Sequence, residues 1–127
     1  MAASRNQSRR GRLSRSADFD RVYRSGESKG NRFLVLHVFP RSTDAEGPPR
    51  LGISVGKKVG NAVRRNRVKR VIREEFWALE ARVSDASDYV VVARPDLGNL
   101  LDSEGSQAVR AQIEELLPSS TSQEGTV

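Results

Sequence analysis

Eight cations, Lys57, Lys58, Arg64, Arg65, Arg67, Lys69, Arg70 and Arg73, fall within 17 residues that contain no acid. Such a run suits the binding of phosphates. A guanidinium is a planar fork that meets a phosphate with two parallel hydrogen bonds and also stacks on exposed bases, whereas lysine supplies a compact point charge. Like charges four residues apart on a helix (Arg65/Lys69, Lys69/Arg73) repel one another. Phosphates relieve that repulsion when they enter and condensed counterions leave. Asn61 and Asn66 add neutral donors and acceptors to the same stretch. Other chemistries lack their residues. There is no cysteine and a single histidine, His37, which excludes zinc sites built from several Cys and His. The acids of the basic half are scattered, so neither a paired acid and base nor a carboxylate cluster for metals is visible. Gly52-Ile-Ser-Val-Gly-Lys-Lys58 imitates a phosphate-binding loop but is one residue short, and Lys58 stands where a hydroxyl should meet magnesium.

A helix must present this run. On a wheel of roughly 100° per residue, Val68, Val71, Ile72, Phe76 and Leu79 cluster within about 140° and form a buried face. Asn66, Lys69, Arg70 and Arg73 fall within about 100° of one another on a different face. Arg64 and Arg67 flank that strip and Arg65 borders the apolar side. Asn61 is a good N-cap for a helix of about 62–81. The free N–H groups of its first turn add an anion site beside Lys57 and Lys58.

Around this helix the pattern predicts a short helix from Ser14 or Ser16 to about Arg24, with Phe19, Val22 and Tyr23 on one face. Strands follow at 32–39, apolar on both faces, and at 50–55, with Leu51, Ile53 and Val55 alternating. A third strand spans 89–93, and Arg94-Pro95 ends it. The last helix runs from about Ser106 to Leu117 on Val109, Ile113, Leu116 and Leu117. The order is α-β-β-α-β-α, an α+β fold with a small three- to four-stranded sheet packed with helices.

The length of 127 residues allows one domain. Residues 1–13 read as a disordered basic N-terminal arm, 14–117 as a single RNA-binding domain and 118–127 as a disordered tail. Net charge is +6, but residues 1–75 carry 19 Lys/Arg against 7 Asp/Glu while residues 76–127 carry 3 against 9. A basic half of +12 facing an acidic half of −6 points to a polyanionic partner. The N-terminus lacks the apolar stretch of a secretory signal, so a cytoplasmic location is expected. A membrane partner is not, because the helix's apolar face is needed by the core.

The stretch Lys57-Lys-Val-Gly-Asn-Ala-Val-Arg-Arg-Asn-Arg-Val-Lys-Arg-Val-Ile-Arg-Glu74 resembles the "RNR" signature of the protein subunit of bacterial ribonuclease P. Leu13-Ser-Arg-Ser-Ala-Asp-Phe19 with Val22-Tyr23 is similar to that family's first helix. Residues 33–39, 51–57 and 88–94 are similar to its strands, and the likeness spans roughly residues 12–117. The resemblance implies a left-handed β-α-β crossover around the long helix, although general physics favours the right hand. It also implies an accessory subunit of an endoribonuclease in which the RNA is the catalyst. The signature helix would lie against ribonuclease P RNA, and a cleft would hold the 5′ leader of precursor tRNA. Lys57, Lys58, Asn61, Arg64, Arg65, Asn66, Arg67, Lys69, Arg70 and Arg73 would then face RNA. Phe19, Tyr23, Val35 and His37 would line the cleft, where Tyr23 and His37 stand in place of other aromatics. Phe19 and His37 serve equally well as core residues. No protein active site is implied, and no cofactor is bound by the protein alone; magnesium belongs with the RNA subunit.

Two other roles compete. A helix-turn-helix DNA binder needs a second helix a few residues from the first, and strands flank the long helix here. A ribosome-associated or other structural RNA-binding module matches the charge equally well; only the order of the signature argues against it.

Overall fold

The computed structural model describes residues 11–12, 19, 22–24, 26–40, 48–83 and 87–118. Five strands, β1 (Gly11–Arg12), β2 (Glu27–Gly30), β3 (Leu34–Pro40), β4 (Arg50–Val55) and β5 (Ser87–Ala93), form one sheet in the order β1-β4-β5-β3-β2. The helices are α1 (Ala62–Ala78), α2 (Pro95–Glu104) and α3 (Ser106–Leu116). Phe19 and residues 22–24 are helical as well, which is the described part of the expected first helix. Its proposed caps Ser14 and Ser16, residues 1–10 of the arm, and the tail from 119 lie outside the described residues.

Period-two alternation sorts the sheet into two faces. Leu34, Leu36, Leu51, Tyr89, Val91 and Ala93 point into the main core with Val68, Ile72 and Phe76 of α1 and Val109 and Ile113 of α3. Phe76 anchors that core, edge-to-face on Trp77 at 4.9 Å and on Tyr89 at 5.3 Å. The opposite face carries Val35, His37 and Phe39 of β3 beside Val92, Val90 and Asp88 of β5. There Val22 and Val90 are fully buried together, with Phe19, Phe39 and Val92 packed around them. The sheet is covered on one side by α1 and α3, with α2 packed against them, and on the other by Phe19 and Val22 of the first helix, which explains why 33–39 is apolar on both faces. β4 and β5 are parallel neighbours, joined through α1 as a β-α-β crossover.

The sheet departs from the expected three to four strands in two places. Gly11–Arg12, assigned to the arm, pairs with β4 as a parallel edge. Glu27–Gly30 pairs antiparallel with β3; all four residues are exposed, so no apolar alternation marks them. The third departure is α2. Pro95 ends β5, but it also occupies the first turn of a helix, where its missing N–H costs nothing and its fixed φ is already helical. α1 is shorter than expected, ending at Ala78 and giving way to a 3₁₀ turn at Glu80–Arg82.

Candidate nucleic-acid interface

The N-terminus of α1 is set by Gly56, the 3₁₀ turn Lys57–Val59 and Asn61, whose Oδ1 accepts from the Arg64 N–H at 2.9 Å. Asn61 therefore caps the helix as expected, and its carbonyl oxygen is engaged in doing so. Val68, Val71, Ile72, Glu75, Phe76 and Trp77 are the buried positions of α1. Opposite them, Asn66, Arg70 and Arg73 are exposed, with Arg65 and Lys69 half-buried at the border. Lys57 and Lys58 are exposed on the preceding turn. Among the described residues none of these six cations is in an ion pair. The Arg65 Nε is buried with no hydrogen-bond partner among the described residues. A desolvated donor left unmet is costly, and an arriving acceptor removes that cost.

The two arginines that flank the strip are engaged within the chain. Arg64 donates from Nη1 to Asp102 Oδ2 at 2.6 Å, from Nη2 to Asn99 Oδ1 at 3.1 Å and from Nε to the Val59 carbonyl at 2.9 Å. Arg67 Nη1 reaches the other oxygen of Asp102 at 2.8 Å. Hydrogen bonds from Arg64 and then Arg67 hold the Asp102 carboxyl below its ordinary range, so it is ionised at neutral pH. Arg64 thus sits in a structural bracket, whereas most donors of Arg67 meet no partner among the described residues. Sequence gave no warning of this, because Asp102 lies on a helix that the pattern did not reveal. Glu75 is likewise taken, its Oε1 accepting from Arg110 Nε of α3 at 2.6 Å.

Three of the four expected cleft residues meet on the sheet face away from α1, and Val35 lies on the same face two residues before His37 on β3. Tyr23 packs edge-on against His37 at 4.8 Å between ring centroids, and Phe19 against Tyr23 at 6.3 Å. Tyr23 is 41% exposed; Phe19, Val35 and His37 are half-buried. Phe19 also packs on the Val22–Val90 cluster, so the ring is both a core anchor and part of the face. Burial lowers the His37 pKa below that of free imidazole, which favours a neutral ring able to stack or to exchange hydrogen bonds with a base edge.

Register identifies further residues on this face. Ser28 lies opposite His37, Gly52 opposite Val90, and Ser54 opposite Val92. Alternation within 50–55 carried the signal, since Leu51, Ile53 and Val55 inward require Gly52 and Ser54 outward. Asp88, fully buried, takes Arg50 in a two-pronged pair at 2.8 and 2.7 Å beyond Phe39. The face and the ridge meet at one end of the sheet: Val35 pairs with Val92 and Val92 with Ser54, three residues before Lys57. Among the described residues no group of three or more His, Cys, Asp or Glu is placed to hold a metal ion. No helix there is long and apolar enough to cross a membrane.

The profile of the family described as Ribonuclease P matches residues 7–117. The chain is 40% identical over 106 residues to the ribonuclease P protein component of Shouchella clausii, covering 84% of this chain and 82% of that one. Its fold superposes on the RNase P protein of Staphylococcus aureus with a TM-score of 0.70 at 35% identity, covering 83% and 90% of the two chains. Against the RNase P protein of Thermotoga maritima the TM-score is 0.71 at 30% identity, covering 82% and 92%. These likenesses favour the processing role over the ribosome-associated one. The chain belongs to the ribonuclease P protein component family, whose members act with the RNA subunit in forming the 5′ ends of tRNAs.

Proposed function

We propose that this protein component works as two adjoining binding surfaces and contributes no catalytic group of its own. The ridge of Lys57, Lys58, Arg65, Asn66, Lys69, Arg70 and Arg73 lies against ribonuclease P RNA and neutralises its phosphates. The face of Phe19, Tyr23, Val35 and His37 receives the 5′ leader of precursor tRNA, whose unpaired bases stack on the aromatic rings. Cleavage is carried by the RNA with its magnesium, which the phosphate-neutralising ridge helps the two RNAs to approach. The cytoplasm is the compartment for this assembly. One observation carries the reading: six cations stand on one side of α1 and its leading turn without an internal counter-ion among the described residues.

Reconstitution tests it. Purified protein is added to ribonuclease P RNA and precursor tRNA at low magnesium, with leaders of full and minimal length. The expected result is faster cleavage and a gain in substrate affinity that needs the longer leader. Protein alone with magnesium leaves the precursor intact. An equal effect on both leader lengths removes the cleft from the account, and cleavage by the protein alone overturns the division of labour.

A further inference from the structure

The basic ridge ends, on its α2 side, at a carboxylate. Asp102 places one oxygen 2.6 Å from Arg64 Nη1 and the other 2.8 Å from Arg67 Nη1. The two arginines differ in everything else. Arg64 has two more acceptors, Val59 O and Asn99 Oδ1, and the backbone is bared to admit it. A Cβ on Gly98 would stand 2.7 Å from Arg64 Nη2, and one on Gly60, whose φ is +154°, would run into the Arg64 methylenes. Arg64 is therefore a fixed staple between the 57–59 turn, α1 and α2. Among the described residues Arg67 makes only the Asp102 contact, and its side chain remains 47% exposed.

A carboxylate bridging two guanidiniums presents what a phosphate presents: a delocalised negative charge on oxygens that accept parallel N–H bonds. We propose that Asp102 is an internal stand-in for an RNA phosphate at Arg67. It is a positioning residue that keeps the Arg67 guanidinium aligned along the border of the ridge and yields it when RNA docks. The proposal rests on the reading that the ridge faces RNA. Exposed ion pairs are weak and screened by salt, so a polyanion can displace Asp102 from Arg67. Arg64, held from three sides, stays where it is. In the free protein the border carries one net positive charge instead of two, and RNA must compete for the second.

The test is the affinity of the full chain for ribonuclease P RNA as a function of monovalent salt. Asp102→Asn is expected to bind roughly sixfold more tightly at about 0.1 M salt and to steepen the log–log slope by roughly 0.7–0.9, the effect of one further phosphate contact. Asp102→Glu should behave as the parent chain. Arg67→Ala placed in the Asp102→Asn background should abolish the gain. Glu115→Gln, on exposed α3 surface, alters net charge equally and should leave affinity nearly unchanged. Asp102→Ser, with folding checked by circular dichroism, repeats the measurement without the amide. Unchanged or weaker binding by the Asp102 variants overturns the proposal, as does an equal gain from Glu115→Gln. Failure of the parent chain itself to bind the RNA overturns the underlying reading as well, whereas normal parent binding with an unresponsive Asp102 overturns this proposal alone.

Discussion

Phe19 and His37 show how one side chain can serve both the core and a ligand. Phe19 packs on the Val22–Val90 cluster and also touches Tyr23. Phe19→Ala is accordingly expected to lower stability by about 1–3 kcal/mol, less than a fully buried ring would cost. It should also weaken leader binding about fivefold or more, as loss of a stacked base predicts. Denaturant unfolding and leader titration of the folded fraction separate the two; a stability loss with normal leader affinity makes the ring a core residue only. His37 allows a test by pH. Burial disfavours its charged form, so the unfolded chain takes up the proton first as pH falls. Stability from this group is therefore full above the ordinary imidazole value of about 6.5 and is lost as pH drops through it. Unfolding midpoints measured between pH 7.5 and 5.5 should decline for the parent chain and decline less for His37→Phe; identical declines remove His37 from the linkage. These roles were legible as candidates because aromatic and strand positions are local features. The bracket at Arg64 was not, since its partner Asp102 is 38 residues away and nothing in the spacing points to it.

At the scale of elements, α1 is held from two sides. Asp102 of α2 takes its first turns, and Arg110 of α3 takes Glu75 near its end. Glu75 is only 8% exposed, and its Oε1 meets the Arg110 guanidinium at 2.6 Å. Arg110→Ala should cost about 1–3 kcal/mol by leaving a nearly buried carboxylate unmet. Adding Glu75→Gln should recover part of that, measured by denaturant unfolding; full additivity of the two losses contradicts the coupling. The long helix and three of the strands were readable because their apolar periods are long and regular. α2 was hidden by Pro95 and Gly98, two residues that ordinarily break helices. One acts here as a first-turn residue and the other makes room for Arg64. The apolar spacing of Leu97, Leu100 and Leu101, all buried, was the signal available. β2 is an edge with no buried side to announce it, β1 is only two residues long, and pairing with a neighbour defines both.

For the whole molecule, the division into a basic and an acidic half takes on a physical meaning. The acidic half folds back on the basic one at Asp88, Asp96 and Asp102, which take Arg50, Arg32, and Arg64 with Arg67. It leaves the middle of the α1 ridge open. A protein that acts by supplying cations should matter less when free cations are abundant. Its stimulation of cleavage by ribonuclease P RNA is expected to shrink as magnesium rises, and a constant stimulation across a magnesium titration contradicts a charge-based role. The most direct test of the open ridge is the salt dependence of binding to ribonuclease P RNA, compared between the parent chain and the triple variant Arg65→Ala, Lys69→Ala, Arg70→Ala. Three lost phosphate contacts should flatten the log–log slope by about two to three. A slope unchanged by the triple substitution would mean that these side chains do not meet RNA.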